Sequence, residues 1–340
     1  MTAPDSPSRR RRGRLALFAP FLLLGVLILL ISLAWWRISG MVMAQLASAQ
    51  SGAAGSGWRL GYSHVRCSGF PFRIDLDIAQ PQLSDAAGWG LEAGELKAEA
   101  FIFSPGHWVV VAPAGIVIQR PQNGPLFVAA RVLRASISEA QKSPPRLSVE
   151  GRDLIFSTLP GSPPLLLQSA SELHLHSKSG PNDQGAAYVE IDGAKAHLNG
   201  LIARVAAGGP ISLVADGIYS RAGALSGGSV PAAFRSWSQA GGELQLRRLT
   251  LSAGQARIDA RPGVLQVGPT GRLVGQLNVS LRQADQWLGG LAESGALSPQ
   301  SATQALRATG AEPVATVPLS FANGRTRLGP ADVGASPKLF

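Results

Sequence analysis

Twenty-two consecutive residues without a charge, Leu15–Trp36 (LALFAPFLLLGVLILLISLAWW), constrain this chain more than any other stretch. As a helix rising about 1.5 Å per residue, the segment is roughly 33 Å long, enough to cross a hydrocarbon core of about 30 Å. Pro20 and Gly25 lie inside it, and membrane helices tolerate both. The tail before it carries Arg9, Arg10, Arg11, Arg12 and Arg14 against one acid, Asp5. Arginines beside a first spanning helix stay in the cytoplasm, so residues 1–14 read as a cytoplasmic tail and 15–36 as a transmembrane helix. The chain from about Arg37 onward then lies across the membrane. Trp35 and Trp36 end the span, where indoles favour the headgroup layer. A cleaved signal peptide is the rival reading, with Ala47-Ser48-Ala49 as a small-residue site. The apolar run exceeds a typical signal core of about 7–15 residues, and the site lies well beyond its end. No lipidation box precedes the single cysteine, Cys67, which follows His64-Val65-Arg66.

The segment after the anchor is long enough for one large or two medium domains. With 40 Gly, 24 Pro and only 15% charged residues in 340, the composition favours many short strands and turns over helical bundles. One cysteine excludes an internal disulfide framework, so the core and the sheet pairing must hold the fold. The net charge is +10; five of the 31 basic residues are in the tail, and the remaining excess is thinly spread. No Lys/Arg cluster with interleaved aromatics is present, so nucleic acid is not an expected partner. A mildly basic surface facing anionic lipid is compatible with the charge.

Residues 37–57 continue with helical spacing at Ile38, Met41, Val42 and Leu46, then pass into a small-residue linker, Ser51–Gly57. From Trp58 to the C-terminus the period becomes two. Leu60, Tyr62 and His64 alternate, and Gly69-Phe70-Pro71 makes a turn. Phe72, Ile74, Leu76 and Ile78 then face one way while Arg73, Asp75 and Asp77 face the other. The pattern recurs at Leu96–Ile102, Leu126–Val132, Leu147/Val149, Leu165/Leu167, Leu173/Leu175, Val189/Ile191, Leu249/Leu251 and Leu277–Leu281, separated by Gly- and Pro-rich turns. Helices are expected at Pro231–Ala240, Asp285–Ser294 and Pro299–Thr309. The expected fold is mainly β with a few short helices: an N-terminal transmembrane helix, then a large antiparallel curved sheet, barrel or half-barrel over 58–340.

Gly57-Trp58-Arg59-Leu60-Gly61-Tyr62 with Gly69-Phe70-Pro71-Phe72-Arg73 opens a pattern that continues at Gly271-Arg272-Leu273 and Gly275-Gln276-Leu277. It ends at Phe321-Ala322-Asn323-Gly324, Leu328-Gly329-Pro330 and Pro337-Lys338-Leu339. In these motifs the chain resembles the bacterial family catalogued as domain of unknown function 2125, over nearly all of its length after the anchor. The motifs report turn geometry and specify no chemistry. More distantly the architecture is similar to AsmA-like proteins of the Gram-negative envelope. That kinship implies an inner-membrane protein with its bulk in the periplasm, and a curved sheet with an apolar inner surface linked to lipid movement or envelope maintenance.

No catalytic constellation is visible. His174 and His176 share a strand face, yet no acid or cysteine is spaced to complete a metal site. Asp75 and Asp77 share another, where alternation with apolar residues reads as a solvated face. Gly88-Trp89-Gly90 reads as a turn, since no phosphate-binding helix comes after it. No serine lies in a G-x-S-x-G elbow, and Cys67 has no conspicuous partner. No enzyme activity, cofactor or metal is expected. The surface that could function is the apolar strand face, with Phe72, Ile74, Leu76, Leu96 and Ile102 as candidate lipid-facing residues. A membrane-anchored β-groove for phospholipid or other envelope lipid is one expectation; a closed-core structural module that docks envelope proteins is the other.

Overall fold

The computed structural model describes residues 12–52, 57–163, 165, 167–196, 208–293, 298, 300 and 314–340. Anchor and extension form one unbroken helix, α1 (Arg12–Gly52), which passes through Pro20 and through Ala47-Ser48-Ala49. At 41 residues it is about 60 Å long, roughly twice the thickness of a hydrocarbon core.

The rest is mainly one antiparallel sheet. Its first strands come in short collinear pieces: β1 (Trp58–Gly61) and β2 (His64–Ser68), β3 (Arg73–Ala79) and β4 (Gln82–Asp85), β5 (Gly90–Glu92) and β6 (Glu95–Phe101), β7 (Trp108–Val111) and β8 (Ile116–Gln119), β9 (Leu126–Ala129) and β10 (Val132–Ser138). Next in the chain are the long strands β11 (Arg146–Thr158), β12 (Leu167–Ser179), β13 (Gly185–Ala196), β14 (Ile211–Tyr219) and β15 (Glu243–Ala253). Then come β16 (Ala256–Ala260), β17 (Gly263–Val267), β18 (Leu273–Arg282), β19 (Val314–Ala322), β20 (Arg325–Leu328) and β21 (Ala331–Ala335). With each collinear pair counted as one strand, successive strands pair in chain order. β2–β3–β6–β7–β10 lie side by side, β1–β4–β5–β8–β9 lie side by side, and both rows join β11, whose two halves pair with β10 and β9. The sheet is thus a meander, and most of its connections are short enough to be hairpins.

The pieces are broken at one level, and the register places the breaks opposite one another. Gln80, at φ 49°, lies between β3 and β4. Opposite it the chain breaks at 93–94, then at 112–115 with Gly115 at φ 82°, then at 130–131. In the long strands the same level is marked by Asp153 at φ 51° and by Gly193 at φ 59°, where the β13 register shifts. A Cβ on Gly193 would fall 2.4 Å from Ser171 Oγ on the neighbouring strand, so only glycine fits. At Gly193 the break adds a residue to β13, and such a bulge bends its strand. Aligned across the sheet, the breaks make a crease. Apolar residues from both slopes meet at it: Leu126, Val128, Leu154, Ala170 and Ala194 are buried, with Leu173 and Ile191 packed against them.

The alternation Leu60–Tyr62–His64 therefore does not run as one strand; it crosses the crease between β1 and β2. Two of the expected helices form, α2 (Val230–Gln239) and α3 (Ala284–Glu293). The hydroxyl of Ser229 caps α2 by accepting from Ala232 N–H at 3.3 Å, so the helix begins at Val230, one residue before the expected start. The expected helix at Pro299–Thr309 lies outside the described residues. A second core cluster gathers Leu265, Leu277, Val279 and Leu281 under Trp287 of α3.

Candidate functional site

The sheet buries its first apolar patch against the N-terminal helix. Ile74 and Leu76 of β3, Ala98 of β6 and Ile102 form a buried cluster that packs with Ile31, Trp35, Ile38, Val42 and Met43 of α1. Four of those α1 positions are spaced by four, three and four residues, one stripe of a helix. Trp35 also donates its Nε1–H to the Arg73 carbonyl at 2.7 Å and meets the Phe70 ring edge-on at 5.5 Å. The residues expected to face lipid, Phe72, Ile74, Leu76, Leu96 and Ile102, do not share one environment. Ile74, Leu76 and Ile102 pack in one cluster with α1, because the apolar stripe of the helix and this sheet face cover each other from water. Leu96 is half-buried. Phe72 is 49% exposed and lies outside the cluster, beside Phe103 at 6.4 Å between ring centroids.

The apolar face continues beyond the helix. The register aligns Val110, Ala135, Val149, Leu175, Val189, Ala215 and Leu249 in one row across β7, β10 and β11–β15. Leu147 flanks this row, as do Leu173 and Ile191 nearer the crease. All of them are half-buried. So are Ser148, Glu150, Tyr188 and Glu190, which alternate with them and face the opposite way. On the polar side Arg134, His176 and Arg248 are exposed, so the apolar side is the more covered of the two. It is nevertheless less buried than the core at Leu277 and Val279.

The opposite face is polar and internally paired. His174 and His176 stack at 6.1 Å. His176 Nδ1 lies 2.8 Å from Ser148 Oγ, and His174 Nε2 lies 3.4 Å from Glu172. Arg134 donates to Glu150 at 2.9 Å and holds its carboxyl below the usual range. Tyr188 donates to Glu190 at 2.7 Å, a bond that raises the phenol. An open cavity of about 540 Å³ lies here, lined by His107, Arg146, His176, Lys178, Tyr188 and Asp216 among others. Asp75 pairs with Arg73 at 2.8 Å and Asp77 with Lys97 at 3.9 Å, so the two expected carboxylates serve separate ion pairs. Burial, helped by Asp75, pushes the Cys67 thiol up, which keeps it protonated and unreactive at neutral pH. Among the described residues no three His, Cys, Asp or Glu side chains gather around one point.

Gly88-Trp89-Gly90 is the turn expected. Asp85 builds it, accepting from Ala87 N–H at 2.8 Å and Trp89 N–H at 2.9 Å. Asp85 carried no signal in the sequence beyond its place before a glycine pair, and it is fully buried.

Comparison with curated proteins and with solved structures returned no match for the chain. Residues 35–337 do match one family as a whole, and they include the turns at Gly69, Gly271 and Gly324, the creased sheet and the α1 end packed on it; the chain belongs to the DUF2125 family, described as an uncharacterized protein conserved in bacteria.

Proposed function

We propose that this chain is a single-pass inner-membrane protein whose β-sheet, held in the periplasm, accepts lipid acyl chains along its apolar face. The observation that carries the reading is that the row Val149, Leu175, Val189 and Ala215 is only partly buried. An apolar surface left open to that degree costs free energy in water, roughly in proportion to its area, and an acyl chain would remove the cost. The row begins where α1 leaves the sheet, so a chain drawn from the bilayer would pass from one apolar surface to the next. The arginine tail at residues 9–14 favours the orientation with the N-terminus in the cytoplasm. On this reading the protein binds and does not catalyse, and its polar pairs stabilise the outer face.

A second reading is favoured by the cover that α1 places over Ile74, Leu76 and Ile102: a closed structural module that docks other envelope proteins. The two are separated by reconstituting the full chain with a phospholipid bearing a photoreactive group at its acyl terminus. Crosslinks on β12 and β13, at peptides holding Leu175 and Val189, support the lipid surface. Crosslinks confined to α1, where any membrane helix meets lipid, leave the docking module.

A further inference from the structure

We infer that the lower rim of the sheet is itself a membrane-binding surface, immersed in the leaflet where the uncharged span of α1 ends. This rests on α1 crossing the bilayer, and the closing experiment separates the two claims. The sheet packs on α1 from Ile31 onward, yet the uncharged span runs to Trp36. Five residues of helix are about 7 Å, so the sheet begins that far inside the apolar end of the anchor. Whatever the sheet presents at that level must tolerate the upper acyl and headgroup region.

It presents phenylalanines. The turn between β2 and β3 exposes Phe70 at 58% and Phe72 at 49%; the end of β6 exposes Phe101 at 59%, and the turn after it exposes Phe103 at 75%. Phe72 and Phe103 hold the two turns together, and Phe70 is fixed to α1 through Trp35. The patch is continuous with the lipid-accessible surface of the helix, where Leu30 and Leu33 are exposed and Trp36 is 73% exposed. Arg37, also exposed, comes next, at the height where its guanidinium would meet lipid phosphates. Clustered exposed aromatics on a water-facing turn would be an aggregation hazard; at an interface, amphipathic depth of about 5–10 Å is their ordinary place. The occupant is therefore the far leaflet of the bilayer that α1 crosses. The rim sets the tilt of the sheet and holds the start of its apolar face against the membrane.

The test uses the full chain in phosphatidylethanolamine/phosphatidylglycerol vesicles, in a Cys67→Ser background that removes the native thiol. Single cysteines are placed by Phe103→Cys, Phe70→Cys, Leu24→Cys and Thr158→Cys, and labelled with an environment-sensitive dye. Nitroxide is carried on the acyl chain either near the glycerol or at its middle. The rim labels should lose emission with shallow nitroxide, Leu24→Cys with deep nitroxide, and Thr158→Cys with neither. Quenching at Leu24→Cys with none at both rim labels overturns the rim and leaves the anchor. Absence of quenching at Leu24→Cys overturns the anchor and the rim with it. Far-ultraviolet circular dichroism of each variant checks the fold, and the second rim cysteine stands in where one does not fold.

Discussion

The Asp85 carboxylate accepts the backbone N–H of Val230 at 2.9 Å, joining positions 145 residues apart. Its other oxygen holds the turn after β4, so one buried side chain serves three backbone donors. A carboxylate at the first turn of α2 also meets the positive end of that helix. The neighbouring Ala86 N–H donates to the Gly228 carbonyl at 3.2 Å, which makes the contact two-point. Through it the folded-over slope of β4 and β5 is held against the segment that leads into β15.

Asp85→Ala should cost about 3 kcal/mol, because it leaves three donors without their partner in a buried site. Asp85→Asn retains one acceptor oxygen and should cost less. Urea unfolding of the detergent-solubilised chain, followed by tryptophan emission, reads both. A loss below that of an ordinary surface substitution for Asp85→Ala would show that the contact does not hold the slopes.

Trp287 is 1% exposed, and its Nε1–H has no hydrogen-bond partner among the described residues. Trp287→Phe removes an unsatisfied donor while leaving a small void, so the two effects offset and stability should change by less than about 1 kcal/mol. Trp287→Ala empties the space over Leu277 and Val279 and should cost about 3–5 kcal/mol. Equal costs for the two variants would mean that the indole N–H is satisfied.

Much of the sheet was legible because alternation survives single-residue reading: Ile74, Leu76 and their opposed Asp75 and Asp77 lie as the pattern implies. Pro231 and Gly241-Gly242 likewise bounded α2. Phe72 had the right phase for the buried face, but it precedes β3 and belongs to a turn, where phase no longer determines side. Only the outer half of the α1 stripe was legible: Ile38 and Val42 showed helical spacing, but Ile31 and Trp35 sit in a segment apolar on every side, which gives periodicity nothing to contrast. The crease was hidden because a bulge restarts the alternation and looks like a turn between separate strands. Asp85 and Val230 are too far apart for any local pattern to pair them.

Acid should destabilise the fold through its paired carboxylates. Burial raises Asp259, but hydrogen bonds from Arg257 and Thr250 outweigh it, so its folded pKa lies below the ordinary value. Glu150 and Asp332 shift the same way, each held by an arginine. A carboxyl depressed in the fold contributes stability above its unfolded pKa and loses it as pH falls through the folded one. Stability should be level near neutrality and fall below about pH 4. Arg257→Gln should flatten that fall, by less than about 1 kcal/mol given the exposure of the pair. An unchanged acid limb in melting experiments would assign the loss elsewhere.

His174 and His176 are occupied by Glu172 and Ser148 on a solvated face. His174→Ala and His176→Ala should each move stability by less than about 1 kcal/mol. Added zinc should leave the melting midpoint of the wild-type chain unchanged. A midpoint that rises with zinc and stops rising in His176→Ala would reveal a metal site.

The acyl-chain reading turns on Val189 and Tyr188, adjacent residues that face opposite sides of β13. Val189 pairs across strands with Leu175 and Ala215 in the apolar row, while Tyr188 pairs with His176 and Asp216 on the polar side. Val189→Asp places a charge where a chain would lie. Because the site is half-open, the carboxylate can stay hydrated, so the fold should lose only about 1–2 kcal/mol. Photocrosslinking of the acyl probe to β12 and β13 should nonetheless be lost, since a hydrated charge excludes hydrocarbon. Tyr188→Phe alters the other face and should leave crosslinking intact. Retained crosslinking in Val189→Asp, with a normal melting curve, would show that acyl chains do not use this row.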